Sequence, residues 1–590
     1  MKFYNATLII IYFFIANFLY SNSIQLENKR YAYLSKYLMP WGKKIPEDIF
    51  KKYVFPLKVS QEPYERWRKK FFEELGEKVH NLSMKKAVLE ISKWCYEKAI
   101  YKPTYPWDAG PLDIIKLGYG RCEEKAILLI DALRSVCIPA RLVFIPGWLH
   151  SNGNHAWVEV WINGTWNILE IAKPVVKLNF PWFRPLFNEM PAVYTYVSCK
   201  KILNITERYN KTCNLEVDKN GKFYLSIFNS GMLRIVAIVK NKKAKVGYGT
   251  YLLTGKIGKD YYFQTINCNT KFKFIKLHSL KKIKNNHIII FNFPSPEKIR
   301  IEKVYAENFI KKVDKERFRK KKVFKNIFSE KLYYLHKNNP DLFEVLKKTD
   351  KKTLYWLKKL ITILANKDLV RINIHQLIED IKLSLKYKKS YYSEKIFIEY
   401  VLNPRIYFEN LTFWRKFILK HYKIHSIHSA ISILKSFKKI DKRYYCGILN
   451  PVEVLTKKSF KYEKEAKTTI VAILRSFGFP ARFNFKGDYI EVFTPDGWKF
   501  LKTPFDDFTS LKKVKIKFNN CSDKFPKYDS DFTISYFKNG YFHPLRYLNG
   551  IFNQKKCEWI SEKVPSRKYF LIFLKEKKKN KKVVMIKRLN

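Results

Sequence analysis

From 122 to 136 the apolar residues Ala126, Leu129, Ile130 and Leu133 recur at the three-and-four spacing of one helical face, which predicts a helix. Gly118 and Gly120 punctuate the approach, Glu123 and Glu124 suit the positive end of the helix dipole, and Pro139 predicts the end by disfavouring helical geometry at Ile138. His155-Ala-Trp-Val-Glu-Val-Trp161 then alternates as a strand does, with Ala156, Val158 and Val160 on one face and His155, Trp157 and Glu159 on the other. Asn163-Gly164 is a two-residue hairpin signal. A return strand in that register sets Trp161 opposite Trp166 and Trp157 opposite Glu170.

Around this stretch the pattern changes character several times. Residues 24–100 read as helical. Short alternating runs near 222–228 and 233–239, separated by turn signals such as Asn229-Ser-Gly231, predict a small β-sandwich. Residues 301–395 are lysine-rich and helical, with Leu354, Leu357, Leu360 and Ile361 among the apolar positions. Alternation returns near 531–537, 569–574 and 582–586. The predicted organisation is a signal segment (1–23), a helical N-terminal region (24–100), a core (101–205), a β-sandwich module (206–300), a helical connecting region (301–395), a second core (396–505) and a C-terminal β-domain (506–590).

The helix start and the hairpin together carry candidate chemistry. Cys122 opens the helix, where unpaired N–H groups and the dipole predict a stabilised thiolate, and the same N–H groups suit the oxyanion of a tetrahedral intermediate. Partners across a hairpin share a face, so Glu170 falls on the side of His155, diagonal to it and within reach of a long side chain. The three residues form a candidate thiol–imidazole–carboxylate set: Glu170 holds the imidazole tautomer, His155 activates Cys122, and Cys122 attacks a carbonyl.

These residues also carry a resemblance. Gly120-Arg-Cys122-Glu-Glu, Ile138-Pro-Ala-Arg141, Asn154-His155-Ala-Trp-Val-Glu-Val-Trp161 and Gly164-x-Trp166 resemble the transglutaminase-like superfamily, and in particular large secreted bacterial proteins that carry its domain. The resemblance implies an α+β multidomain fold with a papain-like core and a Cys–His–Asp triad, Cys122 being the nucleophile and His155 the base. The family's aspartate position is occupied here by Glu170, one methylene longer, with Glu159 as the alternative third member. Some transglutaminases steady the oxyanion with an upstream tryptophan; Trp107 is the candidate here, the other reading being a packing role.

The second half echoes the first. The run from Tyr400 to Arg415 follows the run from Tyr53 to Arg68 without a gap, matching Glu62, Trp67 and Arg68 with Glu409, Trp414 and Arg415. Leu133-Arg-Ser-Val-Cys-Ile-Pro-Ala-Arg141 matches Leu474-Arg-Ser-Phe-Gly-Phe-Pro-Ala-Arg482. Identity at ordered landmarks points to duplication. In this register Glu463 stands for Cys122, Gly487 for His155 and Lys502 for Glu170. The second core is thus expected to be a degenerate, folded and inert partner that braces the first or shapes its substrate groove.

Composition adds limits. The 590 residues carry a net charge of +62, but the lysines are dispersed and no nucleic-acid motif accompanies them, so specific nucleic-acid binding is not expected and attraction to anionic surfaces is a by-product. Residues 1–23 have a basic start, an apolar run and small residues at Ser21 and Ser23, a secretory signal pattern that predicts export with no membrane span after its removal; the alternative is an uncleaved anchor. Nine cysteines leave one odd if the others bridge, and Cys122 is the natural odd one. The expected function is an exported thiol enzyme acting on amides of protein or peptide substrates, by hydrolysis or by acyl transfer to an amine, with no metal or cofactor. The competing reading is a non-catalytic surface scaffold built on transglutaminase-like cores.

Overall fold

The computed structural model describes residues 23–105, 107–198, 201–277, 279–280, 286–290, 305–320, 322–440, 447–484, 486–518, 526–577 and 581–589. All but the last residue of the expected signal segment lies outside them. The molecule is a mixed α+β multidomain protein with several small antiparallel sheets.

At its centre is a helix that runs Cys122–Ser135 (α4), preceded by α1 (Trp67–His80), α2 (Met84–Lys98) and α3 (Pro111–Leu117). Every α4 residue from Glu124 onward is buried, because helices cover one side and a sheet the other. Its start is fixed by the Glu124 carboxylate, which accepts from Arg121 N–H and Ala109 N–H, both at 3.0 Å, and from Thr104 Oγ1 at 2.7 Å. The helix ends earlier than Pro139 alone predicts. Cys137 adopts a left-handed φ of 59°, its N–H reaches Arg134 O and the Ile138 N–H reaches Leu133 O, a Schellman closure that satisfies the last carbonyls.

The sheet against α4 has five antiparallel strands in the order β3 (Thr165–Leu169), β2 (His155–Ile162), β1 (Ala140–Ile145), β4 (Tyr194–Ser198), β5 (Lys201–Asn204). Ala140, Leu142, Ala156, Val158 and Val160 pack on the helix side with Ala126, Leu129, Ile130 and Leu133. On the other face Val143, Ile145, Trp157 and Ile168 pack with Trp148, Phe183, Met190 and Val193. The hairpin turns through Asn163 and Gly164, both at positive φ, and pairs Trp161 with Trp166. The ladder ends at Val158 with Leu169, one residue short of the expected Trp157–Glu170 pair.

Beyond the core, sheets of five and three strands enclose the apolar interior of residues 212–277. The strand Asn286–Ile290, assigned by the sequence to this module, instead pairs with Lys581–Leu589 at the edge of the C-terminal sheet. Leu357, Leu360 and Ile361 lie in the core of the helical region that follows.

The segment 415–501 presents helices α5 (Arg415–His421), α6 (Ile427–Lys435), α7 (Pro451–Lys457) and α8 (Glu463–Ser476), then strands β6 (Ala481–Asn484), β7 (Tyr489–Thr494) and β8 (Gly497–Leu501). This order is that of α1–α4 and β1–β3, and the registers correspond: Ala140 faces Val160 as Ala481 faces Val492, and Trp161 faces Trp166 as Phe493 faces Trp498. The Glu465 carboxylate accepts from Leu449 N–H and Tyr462 N–H, as Glu124 does from Ala109 and Arg121. Arg482 pairs with Glu491 and lies over Trp498, as Arg141 pairs with Glu159 and lies over Trp166.

Candidate active site

Cys122 is the first residue of α4, half-buried, with its sulfur against the start of β2. The backbone N–H groups of Glu123 and Ala156 favour the charged form of the thiol, which places the sulfur beside the residue that follows His155. The thiol donates to Glu123 Oε2 at 3.1 Å rather than to the imidazole. Glu123 Oε1 accepts from Asn154 Nδ2 at 3.3 Å, and Oε2 also accepts from Arg121 Nε at 3.2 Å. Arg121 in turn holds Asp108 at 2.5 Å, and burial pushes the Asp108 carboxyl up to about 7.

The expected stabilised thiolate is not found. Burial, then the Glu123 carboxylate, pushes the Cys122 thiol up to about 12. A helix dipole stabilises a nearby charge by about 0.3–1 kcal/mol, less than the ~1.4 kcal/mol of one pKa unit, so it cannot offset both effects. Glu123→Gln is therefore expected to lower the thiol pKa and to speed iodoacetamide alkylation at pH 8 about ten-fold for each unit recovered. An unchanged rate would remove Glu123 from the account.

His155 is 9% exposed. Its ring sits among Phe183, Trp182, Trp157 and Trp148, at centroid distances of 5.0, 5.3, 5.9 and 6.5 Å. Burial in this aromatic box lowers the imidazole to about 4, against a smaller upward pull from Glu123. Its Nε2 is buried with no hydrogen-bond partner among the described residues. Glu170, just past β3, is buried too and turns onto its own backbone: Oε1 accepts from Ile171 N–H at 2.8 Å and Ala172 N–H at 2.9 Å, the Trp182 backbone N–H also favours its charged form, and Oε2 has no hydrogen-bond partner among the described residues. Desolvation raises its carboxyl. The structure thus brings Cys122 to the backbone beside His155, and joins neither Cys122 nor Glu170 to the imidazole by a hydrogen bond among the described residues.

Glu159 is committed elsewhere. Its Oε2 accepts from Arg141 Nε at 2.8 Å, and its Oε1 from Tyr209 Oη at 2.7 Å and Arg208 Nε at 3.0 Å, so both oxygens are engaged away from His155. Trp107 stacks on Tyr105 at 5.0 Å and on Phe408 at 6.0 Å, under the Arg405 guanidinium.

Two contributors were missed in the sequence. Glu123 reads there as a dipole-matching residue, and only folding makes it the partner of the thiol. Lys367, from the connecting region, reaches Glu124 Oε1 at 2.6 Å and the carbonyls of Tyr105 and Trp107 at 2.7 and 2.6 Å, tying the tryptophan loop to the start of α4. Nothing local marks this lysine among its many neighbours.

Lack of a bridging partner does not single out Cys122, since Cys95 and Cys137 are also free; Cys213 and Cys268 face each other with sulfurs 2.7 Å apart, and Cys557 is disulfide-bonded. Among the described residues no cluster of three or more His, Cys, Asp or Glu could hold a metal ion. No described helix is long and apolar enough to cross a membrane.

Comparison with known proteins gives the family of this site. A search of curated proteins finds no significant match. Among solved structures, "The Crystal Structure of a Putative Cysteine Protease from Cytophaga hutchinsonii" is similar at 17% identity and a TM-score of 0.20, over 40% of this chain and 61% of that one. Residues 72–171, which run from α1 past β3 and contain Cys122, His155 and Glu170, match the family model of the transglutaminase-like superfamily: the chain carries a transglutaminase-like domain there.

Proposed function

We propose that the protein is an exported thiol enzyme of the transglutaminase-like class that acts on amide bonds of protein or peptide substrates, with Cys122 as nucleophile, His155 as base and Glu170 as its orienter. The observation that carries this reading is the meeting of α4 and β2: a thiol on a helix start laid against the backbone beside a buried imidazole. A second observation supports Glu170. Nε2 of His155 and Oε2 of Glu170 are both buried without partners, and each orphan costs about 1–3 kcal/mol. Pairing of the two in the working site would remove both costs and fix the imidazole with its other nitrogen free for the thiol.

With the thiol at about 12 and the imidazole at about 4, both are neutral at pH 7. Attack then proceeds by general-base catalysis, not from a preformed ion pair. The Sγ–H proton passes to His155 as the Sγ–C bond forms, and the imidazolium returns it to the leaving nitrogen as the C–N bond breaks, leaving a thioester. Water or an amine attacks the thioester carbonyl, giving its proton to His155, and the Sγ–C bond breaks to restore the thiol. The Glu123 and Ala156 N–H groups are suited to the oxyanion.

We read 396–505 as a degenerate second copy of the domain. Supporting this are the matching element order, strand registers and equivalent Arg–Glu pairs. Glu463 opens α8 and pairs with Lys439 at 2.9 Å, and the Lys502 ammonium bonds the carbonyls of Asp506 and Phe508, an arrangement without nucleophile or base. Export rests on the residue pattern of 1–23.

One observation favours the scaffold reading: the thiol bonds Glu123 instead of His155. Incubation with a casein-like protein and a labelled amine separates the readings. Cys122-dependent amine incorporation or cleavage supports the enzyme; neither, with Cys122→Ala identical to the parent, supports the scaffold.

A further inference from the structure

A cavity of about 360 Å³ lies where the transglutaminase-like domain meets the 396–505 unit. Its walls are made by equivalent segments of the two. Gln61, Trp107 and Glu123 face it from the first unit; Phe408, Gly447 and Lys464, at the corresponding positions of the second, face it from the other side. The walls are nevertheless chemically unlike. On the first, Glu123 is the acceptor of the Cys122 thiol and of Asn154, so the cavity wall reaches the residue that holds the thiol. On the second, the Lys464 ammonium donates to Tyr407 Oη at 3.3 Å and has no carboxylate within ion-pair distance among the described residues. Between them Trp107 and Phe408 stack at 6.0 Å with planes 28° apart, and Phe408 continues onto Tyr407 at 4.4 Å.

We propose that this cavity is a recognition subsite for a peptide carboxylate, in which Lys464 binds an aspartate or glutamate side chain close in sequence to the amide presented to Cys122, while the apolar part of that segment lies on the Trp107–Phe408 stack. The position that corresponds to Glu123 in the second unit has become the cation that reads the substrate. Of the charged residues lining the cavity, Arg121 pairs with Asp108 and Glu123, which leaves Lys464 as the cation for an incoming carboxylate, whereas a nucleic-acid backbone needs a row of cations to neutralise successive phosphates. The assignment rests on the reading of Cys122 as nucleophile for its place in the reaction, and on the cavity alone for binding.

The test uses the full chain carrying Cys122→Ala and two fluorescein-labelled peptides, one with two glutamates flanking a glutamine and one with glutamines in their place. Fluorescence anisotropy at physiological ionic strength is expected to show tighter binding of the glutamate peptide. Lys464→Gln is expected to weaken that binding about ten-fold and to leave the all-glutamine peptide unchanged, and Lys464→Arg to keep most of the preference. Lys352→Gln, the same charge change on an exposed helix position, is expected to alter neither. Equal losses from Lys464→Gln and Lys352→Gln would reduce the effect to bulk charge and overturn the subsite, as would no preference in the parent or a preference that survives Lys464→Gln. Because binding needs no thiol, Lys464-dependent binding together with no turnover of the peptide by the chain that retains Cys122 would sink the enzyme reading and keep the subsite.

Discussion

Cys122→Ala is expected to lower amide turnover by at least about a thousand-fold while leaving thermal unfolding near that of the parent. Alanine is tolerated at a helix start, and the bond lost, from the thiol to Glu123, leaves a carboxylate still held by Arg121 and Asn154. His155→Ala should cost about a hundred- to ten-thousand-fold, the range general-base catalysis contributes. The pH profile separates this base from an ordinary histidine. A base must be unprotonated, and burial holds His155 at about 4, so kcat/KM should persist as pH falls through 6.5 and decline only near 4. A decline centred near 6.5 would mean a solvated imidazole does the work. Turnover of a small ester, followed with circular dichroism as a check on folding, reads both limbs.

The largest stability effect is expected at Arg141→Met, about 3 kcal/mol in urea-induced unfolding. Arg141 and Glu159 have side chains 6% and 0% exposed, and removing one partner strands the other's charge in the interior. The Arg208 and Tyr209 contacts to Glu159 remain, which places the loss at the lower end of the ~3–5 kcal/mol seen when buried pairs are broken. Removing both charges with Arg141→Met and Glu159→Leu should recover much of the loss, since no buried ion is then left alone. The equivalent pair Arg482–Glu491 has side chains 34% and 10% exposed, and Arg482→Met should cost clearly less. Equal losses at the two sites would show that burial is not what sets the cost.

Much of this architecture could be read from residue order. The alternation after His155 and the Asn163-Gly164 turn determine which face each side chain takes, and the Trp161–Trp166 pair follows from two-residue periodicity alone. The start of α4 was equally legible, because a glycine-punctuated approach and a three-and-four apolar stripe converge on Cys122. What could not be read is whatever depends on a side chain choosing among neighbours. Glu170 shares the face of His155 in register, yet it lies past the end of the ladder, where free backbone N–H groups compete for its carboxylate. Glu159 was a plausible orienter until folding delivered Arg141, Arg208 and Tyr209 to it. The thiol's state was misjudged for the same reason: helix position is visible in sequence, whereas desolvation and the rotamer of Glu123 are not. The helix end was anticipated from Pro139, but a left-handed Cys137, a conformation glycine holds in the second unit as Gly478, closes it first.

In the proposed reaction the sulfur of Cys122 becomes acylated with help from His155. Brief exposure to p-nitrophenyl acetate, followed by digestion and mass spectrometry, examines that step directly. That reaction predicts one acetyl group on the Cys122 peptide of the parent, none there in Cys122→Ala, and acetylation at least about a hundred-fold slower in His155→Ala. Acetyl groups scattered over lysines, at rates indifferent to His155, would contradict it.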